Sequence, residues 1–381
     1  MTDRIYLDWN ATAPLRPDAR EAMLAALAAV GNPSSVHAEG RAARRLIEEA
    51  REKVAALVGA EPRNVVFTSG GTEANVLALS PSPRIRKLLV SAVEHPSVLA
   101  GGRFPAGAVE RVPVTADGRI DLAALRGRLA ASAEGVMVSL MLANNETGVV
   151  QPVSEAAALV HAAGGLLHVD AVQAAGRIPC DVNALGADLV TVSGHKLGAP
   201  KGIGALIRRD AALDLADPLI RGGGQERGQR AGTENVAGIA GFGAAAAALA
   251  GLSAAGARMA KLRSQLEGGL AAASPEVVVF GAGAERLPNT TLFATAGIKA
   301  ETAIIALDLA GVAVSSGAAC SSGKVQPSHV LAAMGVSPEL AQGAIRVSLG
   351  PSTAESEVDG FIAAWINVSQ ALLKVRRGIA A

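Results

Sequence analysis

The first residue with chemistry to offer is a lysine set straight after a short apolar run. In "TVSGHKLGAPKG", residues 191–202, Lys196 stands beside His195 at what reads as a strand end, and glycines and a proline follow. A lone lysine on a turn is ordinarily a solvated surface group. Held instead in a desolvated pocket, the ammonium loses its hydration, its pKa falls, and the neutral amine becomes a nucleophile able to form an imine with an aldehyde. Asp170 closes another apolar run, "LLHVD", where a carboxylate is costly to bury unless it meets a cation. A protonated pyridine nitrogen is such a cation, and pyridoxal phosphate asks for this pair: a lysine for its aldehyde and an acid for its ring nitrogen. Gln173, three residues on, is placed to hydrogen-bond the phenolic oxygen of the same ring.

A phosphate needs a cradle. "TSGGTEAN", Thr68 to Asn75, follows the run "NVVF" and opens a helix. The amides of Gly70, Gly71 and Thr72 at a helix N-terminus, with the Thr72 hydroxyl, suit an anion; the alternative is an ordinary glycine turn capped by Thr72. Ser193 and His195, just ahead of Lys196, are placed to donate to the same phosphate.

These groups must be brought together by the elements that carry them. Apolar runs near Asn64, Lys87, Gly135, Gly165, Ala187 and Lys201 alternate with helix-length segments such as "SEAAALVHAAG", with Ser154 as its cap and Gly164 closing it. Such alternation predicts an α/β fold, a mostly parallel sheet with helices on both faces. In such sheets ligands bind outside the carboxyl ends of the strands, where Thr72, His95, Asn145, Asp170, Ser193 and Lys196 fall. After an alanine-rich helix the texture changes to short strand candidates, "NTTLFATAG", "GVAVSSGAACSSG" and "GAIRVSLG". The expected division is a large domain of residues 16–253 and a smaller α+β domain of 254–381 joined by 1–15.

Composition removes several classes. Over 381 residues, Lys plus Arg is 35 against 34 for Asp plus Glu, and aromatics are 2%. Neither a basic patch nor a stacking platform for nucleic acid is expected. Residues 236–257 are uncharged and long enough to span a bilayer, but they are built mostly of alanine and glycine, which predicts a buried helix and no membrane partner. The start, "MTDRIYLDWNATAP", has no signal-like apolar run, so a cytoplasmic enzyme is expected. Two cysteines, Cys180 and Cys320, give no disulfide framework and no metal site.

"LDWNATAP", "GNPSSVH", "FTSGGTEAN", "EHPSV", "NNETGVVQP", "HVDAVQAAG", "SGHKLGAPKGIGAL", "RGGGQERGQRAGTEN", "SSGAACSSG" and "IRVSLG" run in order from residue 7 to residue 350. Together they resemble the motifs of the cysteine desulfurases, the NifS/IscS-like branch of the class V aminotransferase fold. The resemblance implies a pyridoxal-phosphate enzyme of fold type I that takes sulfur from L-cysteine, leaving L-alanine and an enzyme persulfide. It implies that Lys196 holds the cofactor and moves protons, that Asp170 and Gln173 serve the ring, and that His95 stacks on it as an acid/base. Asn145 would lie against cofactor and substrate, while Gly71, Thr72, Ser193 and His195 bind the phosphate, joined by Thr233 from the partner of a homodimer. Arg346 would take the substrate carboxylate, for which its forked geometry is matched.

Cys320 is implied as the sulfur carrier. A lone cysteine is more often a core residue, but the glycines and serines of "SSGAACSSGK" predict a mobile loop, one that lets a thiolate reach the substrate and then an acceptor. An iron–sulfur scaffold or another sulfur-acceptor protein is the implied partner, and a nascent cluster would meet Cys320 only through it. Cys180, in "GRIPCDV", reads as structural. Two departures stand out: "SPSPRIR" replaces a longer helix and loop between Thr72 and His95, and the chain stops soon after "LLKVRRGIAA", which leaves the acceptor open. A selenocysteine lyase and a small-amino-acid aminotransferase of the same fold are the alternatives.

Overall fold

The apolar runs become strands in the computed structural model, which describes residues 4–132, 135–213, 217–249, 252–317 and 327–379. Strand β1 (Ile5–Tyr6) stands apart from β2 (Val65–Thr68), β3 (Lys87–Ser91), β4 (Val109–Val112), β5 (Val136–Met141), β6 (Leu166–Asp170), β7 (Leu189–Ser193) and β8 (Gly204–Arg208). Those seven form one sheet in the order β2-β8-β7-β6-β5-β3-β4. All pairings are parallel except those of β8, which runs antiparallel to β2 and β7. Every residue of β5 is buried, as expected of a strand covered on both faces. The runs that announced themselves in sequence were of this kind. By contrast β4, "VERV", lies at the sheet edge with only Val112 buried, so its apolar signal is thin.

Register then builds the site. Met141 pairs with Asp170 and Asp170 with Thr191, so β5, β6 and β7 end side by side and the loops beyond them open on one edge.

The uncharged stretch forms the helix Val236–Ala247, a separate unit from the helix Leu252–Ala273. It packs on the helices Pro17–Ala28 and Ala38–Leu57. Its small residues are explained by that packing: a Cβ added at Gly243 would come within 2.5 Å of Ala50 Cα. Among the described residues no helix is long and apolar enough to cross a membrane. The Ser154 cap is corrected: the helix Val153–Ala162 begins two residues earlier, with Pro152 at its cap, and the Ser154 hydroxyl donates to the Ala184 carbonyl at 3.2 Å. Its tertiary partner outcompetes the local one. Gly164 does follow the helix end, with φ +70°.

The remaining strands are β9 (Val277–Val279), β10 (Thr290–Thr295), β11 (Val312–Ala313), β12 (Ser315–Ser316) and β13 (Ile345–Ser348). They form an antiparallel sheet in the order β12-β13-β10-β9, while β1 pairs in parallel with β11. Phe293 anchors the core here, with Trp365 and Phe361 meeting it edge-on at ring separations of 5.0 and 6.4 Å. Strand β13 brings Arg346 opposite Ser315, and Ser348 bridges to Asp8. The N-terminal segment thus crosses from the small sheet to the edge of the large one.

Candidate active site

Lys196 sits in the single turn Gly194–Lys196 directly after β7. Its Nζ donates to the carbonyls of Asn10 at 2.6 Å and Ala11 at 2.8 Å. Burial, and then the Arg346 and Arg177 guanidiniums, bring its pKa down to about 7. A neutral amine is therefore abundant at physiological pH, the condition for attack on an aldehyde.

Asp170, at the tip of β6, is 5% exposed. Its Oδ2 accepts from Asn75 Nδ2 at 2.9 Å and its Oδ1 from the Val172 amide at 3.0 Å. Beneath it on the same strand face, His168 is fully buried between the hydroxyls of Ser139 (2.8 Å) and Thr191 (2.9 Å). Burial lowers the pKa of that imidazole to about 4, so it stays neutral. Asn75 and His168 stood inside quoted motifs but received no role, since their partners lie on other elements, distant in sequence.

Gln173 Nε2 donates to the Asn10 carbonyl at 3.0 Å, and its Oε1 accepts from Arg177. The Asn10 side chain donates to Thr290 and to the Asn145 carbonyl, so one residue of "LDWNATAP" ties the lysine, the glutamine and the small sheet together. Arg346 is 6% exposed; it donates to the Asn145 carbonyl at 2.9 Å and to Asp8 Oδ1 at 2.9 Å, while its Nε is buried without a partner.

The helix Gly71–Ala78 opens beside these groups. A Cβ at Gly71 would come within 3.0 Å of Val172 Cγ2 and 3.3 Å of Ser193 Cβ, so the missing side chain is what leaves a hollow at the helix N-terminus. Thr72 lies in its first turn but does not cap it. His195 contacts the Thr12 hydroxyl at 3.3 Å, and burial with the nearby Lys196 and Lys201 lowers its pKa to about 4. His95 begins the turn Pro96–Leu99 and accepts from the Ser97 amide through Nδ1. Its pKa is lowered by desolvation, with Lys196 and His329 adding to that and Asp170 opposing.

Gly71, Thr72, His95, Asn145, Asp170, Gln173, Ser193, His195, Lys196 and Arg346 all line one cavity of about 600 Å³. Thr233 does not: it is exposed and lines a separate cleft of about 280 Å³. Cys320 lies outside the described residues. Cys180 is 4% exposed, contacts the Ile178 carbonyl, and has its thiol pKa raised to about 12 by burial, as a structural cysteine should.

The donor set fits pyridoxal phosphate. A neutral lysine, a buried carboxylate held by an amide and a backbone N–H, and a hollow at a helix N-terminus match an aldehyde, a pyridinium and a phosphate. The class-V aminotransferase family model matches residues 5–361. A cysteine desulfurase of Cereibacter sphaeroides is 46% identical over 368 residues, covering 94% of this chain and 93% of that protein. The fold superposes on a NifS-like protein from Rickettsia africae with a TM-score of 0.88 at 36% identity, covering 96% and 99% of the two chains. A protein titled SspA in complex with cysteine is 28% identical, with a TM-score of 0.77 over 92% of this chain and 99% of that one. With family match, sequence and fold in agreement, the chain belongs to the NifS-like cysteine desulfurases of the class-V aminotransferase family, enzymes that depend on pyridoxal phosphate.

Proposed function

We propose that this chain takes the sulfur of L-cysteine onto Cys320, releases L-alanine, and hands the sulfur to an acceptor protein such as an iron–sulfur scaffold. The observation that carries the reading is the lysine amine with a pKa of about 7, set in a cavity that also holds Asp170 and Arg346. The solved relative with cysteine bound supports the choice of substrate. Pyridoxal phosphate, when bound, supplies the electron sink that makes substrate carbon–hydrogen and carbon–sulfur bonds labile.

The protein's residues do the rest. Lys196 and Asp170 hold the cofactor at its aldehyde and ring nitrogen, and Asn75 and Val172 keep the carboxylate aimed. Gln173 serves the ring oxygen, His95 covers the ring, and the Gly71–Thr72 amides with Ser193 and His195 take the phosphate. Arg346 binds the substrate carboxylate beside Asn145, and Lys196 Nζ carries protons at the substrate carbon. The Cys320 thiolate then attacks the substrate sulfur. The new S–S bond forms as the C–S bond breaks, its electron pair stays on the β-carbon, and a proton completes the methyl of alanine. The free thiol and persulfide suit a reducing compartment, and the cytoplasm is the location proposed. The test is an absorbance spectrum of the purified protein, then L-cysteine with a thiol reductant; sulfide and alanine in equal amounts are expected, and an amino-group exchange without sulfide would overturn the reading.

Arg346→Ala should raise the KM for cysteine at least tenfold while cofactor absorbance is unchanged, because an unpaired buried partner of a carboxylate costs about 2–5 kcal/mol. Near-normal kinetics would assign the carboxylate to another cation.

The working unit proposed is a homodimer, each chain divided into a large domain of residues 16–253 and a small one of 1–15 with 254–381. Support comes from the loop that carries Thr233. Glu226 and Arg227 adopt left-handed backbone, φ 47° and 58°, a strained state for residues other than glycine. A paired ion bridge from Arg51 to Glu226 (2.7 and 2.8 Å) and the Phe67 amide pin it there. The loop is thereby anchored at Glu226, and Thr233 stands exposed outside its own chain's cavity, which supports a role for it in a partner's site. Hybrids of Thr233→Ala and Lys196→Ala subunits should recover one normal site per dimer; no recovery of cofactor affinity would show that Thr233 serves its own chain.

A further inference from the structure

One cation beside the active site has no acid to answer it. Arg177 follows β6, and among the described residues its side-chain partners are all neutral oxygens: Nη1 donates to the Gln173 carbonyl at 3.0 Å and to Gln173 Oε1, and Nη2 to the Trp9 carbonyl at 3.4 Å. Burial, and then the nearby Arg346, bring its pKa down to about 10. Withdrawing a guanidinium from water without a counter-charge carries a cost that the reaction as derived above gives no reason for. Nor does Arg177 line the active cavity; it lines a second one of about 350 Å³, which meets the first at Lys196.

Gln173 stands between the two. An amide can be set in either of two ways, with oxygen and nitrogen exchanged, and its neighbours decide which. The Asn10 carbonyl only accepts, so Gln173 turns Nε2 to it at 3.0 Å; the guanidinium only donates, so Oε1 turns to Arg177. Reversing the amide would set oxygen against oxygen at Asn10 and N–H against N–H at Arg177. With one N–H spent on Asn10, the second is what this side chain has left to offer in the cavity that it lines.

The geometry points to Arg177 as a positioning residue for the cofactor: from outside the active cavity it fixes the Gln173 amide so that an N–H, and not the carbonyl oxygen, meets the ring oxygen of pyridoxal phosphate. The inference rests on the reading of Gln173 as the partner of that oxygen. A donor there favours the anionic form of the ring oxygen and so lowers the pH at which the bound cofactor changes colour, whereas an amide oxygen turned to it would repel the anion and raise that pH. The charge of Arg177 works in the same direction, as it does on Lys196. Orientation and charge are separated by removing Arg177 with and without Gln173 present.

The experiment is a spectrophotometric pH titration of full-length, cofactor-loaded protein: wild type, Arg177→Met, Arg177→Lys, Gln173→Leu, and Arg177→Met combined with Gln173→Leu. The midpoint of the change in the cofactor's absorbance band is read, which needs no turnover. Gln173→Leu and Arg177→Met should each raise it by about one pH unit, the scale set by one hydrogen bond to a charged group. In the Gln173→Leu background Arg177→Met should add less than about half of what it adds alone. Arg177→Lys keeps the charge, and its ammonium can make from one atom the two contacts that Nη1 makes, so its midpoint should stay within about 0.3 pH unit of the wild type.

A wild-type midpoint in Arg177→Met would overturn the inference. So would an equal rise in both backgrounds, which would leave Arg177 acting by charge alone, or a rise in Arg177→Lys as large as in Arg177→Met. Should Arg177→Met fail to fold, Arg177→Leu takes its place in both backgrounds with the same expectations. Failure of the underlying reading looks different: Gln173→Leu itself would leave the midpoint at the wild-type value, and Arg177 would then have no ring contact to set.

Discussion

Cys320→Ser is expected to bind pyridoxal phosphate and L-cysteine like the wild type and to make almost no alanine. The attacking species must be a thiolate; serine keeps the size of the side chain but its hydroxyl does not ionise at working pH. Removing an enzyme's nucleophile outright costs up to about 10⁶-fold in kcat, and a loss of about 10³-fold or more is expected here. The same variant separates the alternatives. A transaminase exchanges its amino group with lysine and cofactor alone and has no need of the thiol, so its activity would survive. A selenocysteine lyase would keep turnover on selenocysteine in the variant, since selenium leaves without thiolate attack. Mass spectrometry of the wild type after turnover should find one added sulfur on the peptide that contains Cys320. Wild-type alanine production by Cys320→Ser, or added sulfur on Cys180, would show the mechanism to be wrong. The second outcome has a physical obstacle already: the Cys180 thiol is buried and its pKa is raised to about 12.

Reading the sequence reached the residues whose signal is local. Asp170 and Lys196 each close an apolar run, and a strand that ends in a charge announces a site at its carboxyl end. The groups that hold these residues were hidden for a different reason. Asn75 meets Asp170 across 95 residues, and Asp8 meets Arg346 across 338, and nothing local in "LDWNATAP" or "TSGGTEAN" distinguishes a supporting amide from a turn residue. The strands β4 and β9 were missed because edge strands bury little: β9, "VVV", has no fully buried residue. Ser154 misled in the opposite sense, as a local cap whose hydroxyl found a better partner on a neighbouring element.

Lys196→Ala should fold, lose the cofactor that borohydride otherwise fixes to the chain, and abolish activity. Reduction onto another lysine would sink the assignment. A finer test uses the acidity of the amine. An ordinary lysine has a pKa of 10.5, and the cavity lowers that of Lys196 to about 7, chiefly by burial and then by Arg346 and Arg177. Only the neutral amine captures an aldehyde, and its fraction rises with pH, so covalent capture of pyridoxal phosphate by cofactor-free protein should rise through a midpoint near pH 7 instead of near 10.5. The same shift has a stability sign. Between about 7 and 10.5 the unfolded chain binds a proton that the folded chain does not, so stability of the cofactor-free wild type should climb with pH across that window, relative to Lys196→Ala, and flatten above it. Arg346→Ala removes the larger of the two guanidinium contributions and should move the capture midpoint upward, towards the ordinary lysine value. A midpoint that stays near 10.5 in the wild type would mean that the amine is hydrated in solution, and the cavity would then lack the nucleophile on which its chemistry depends.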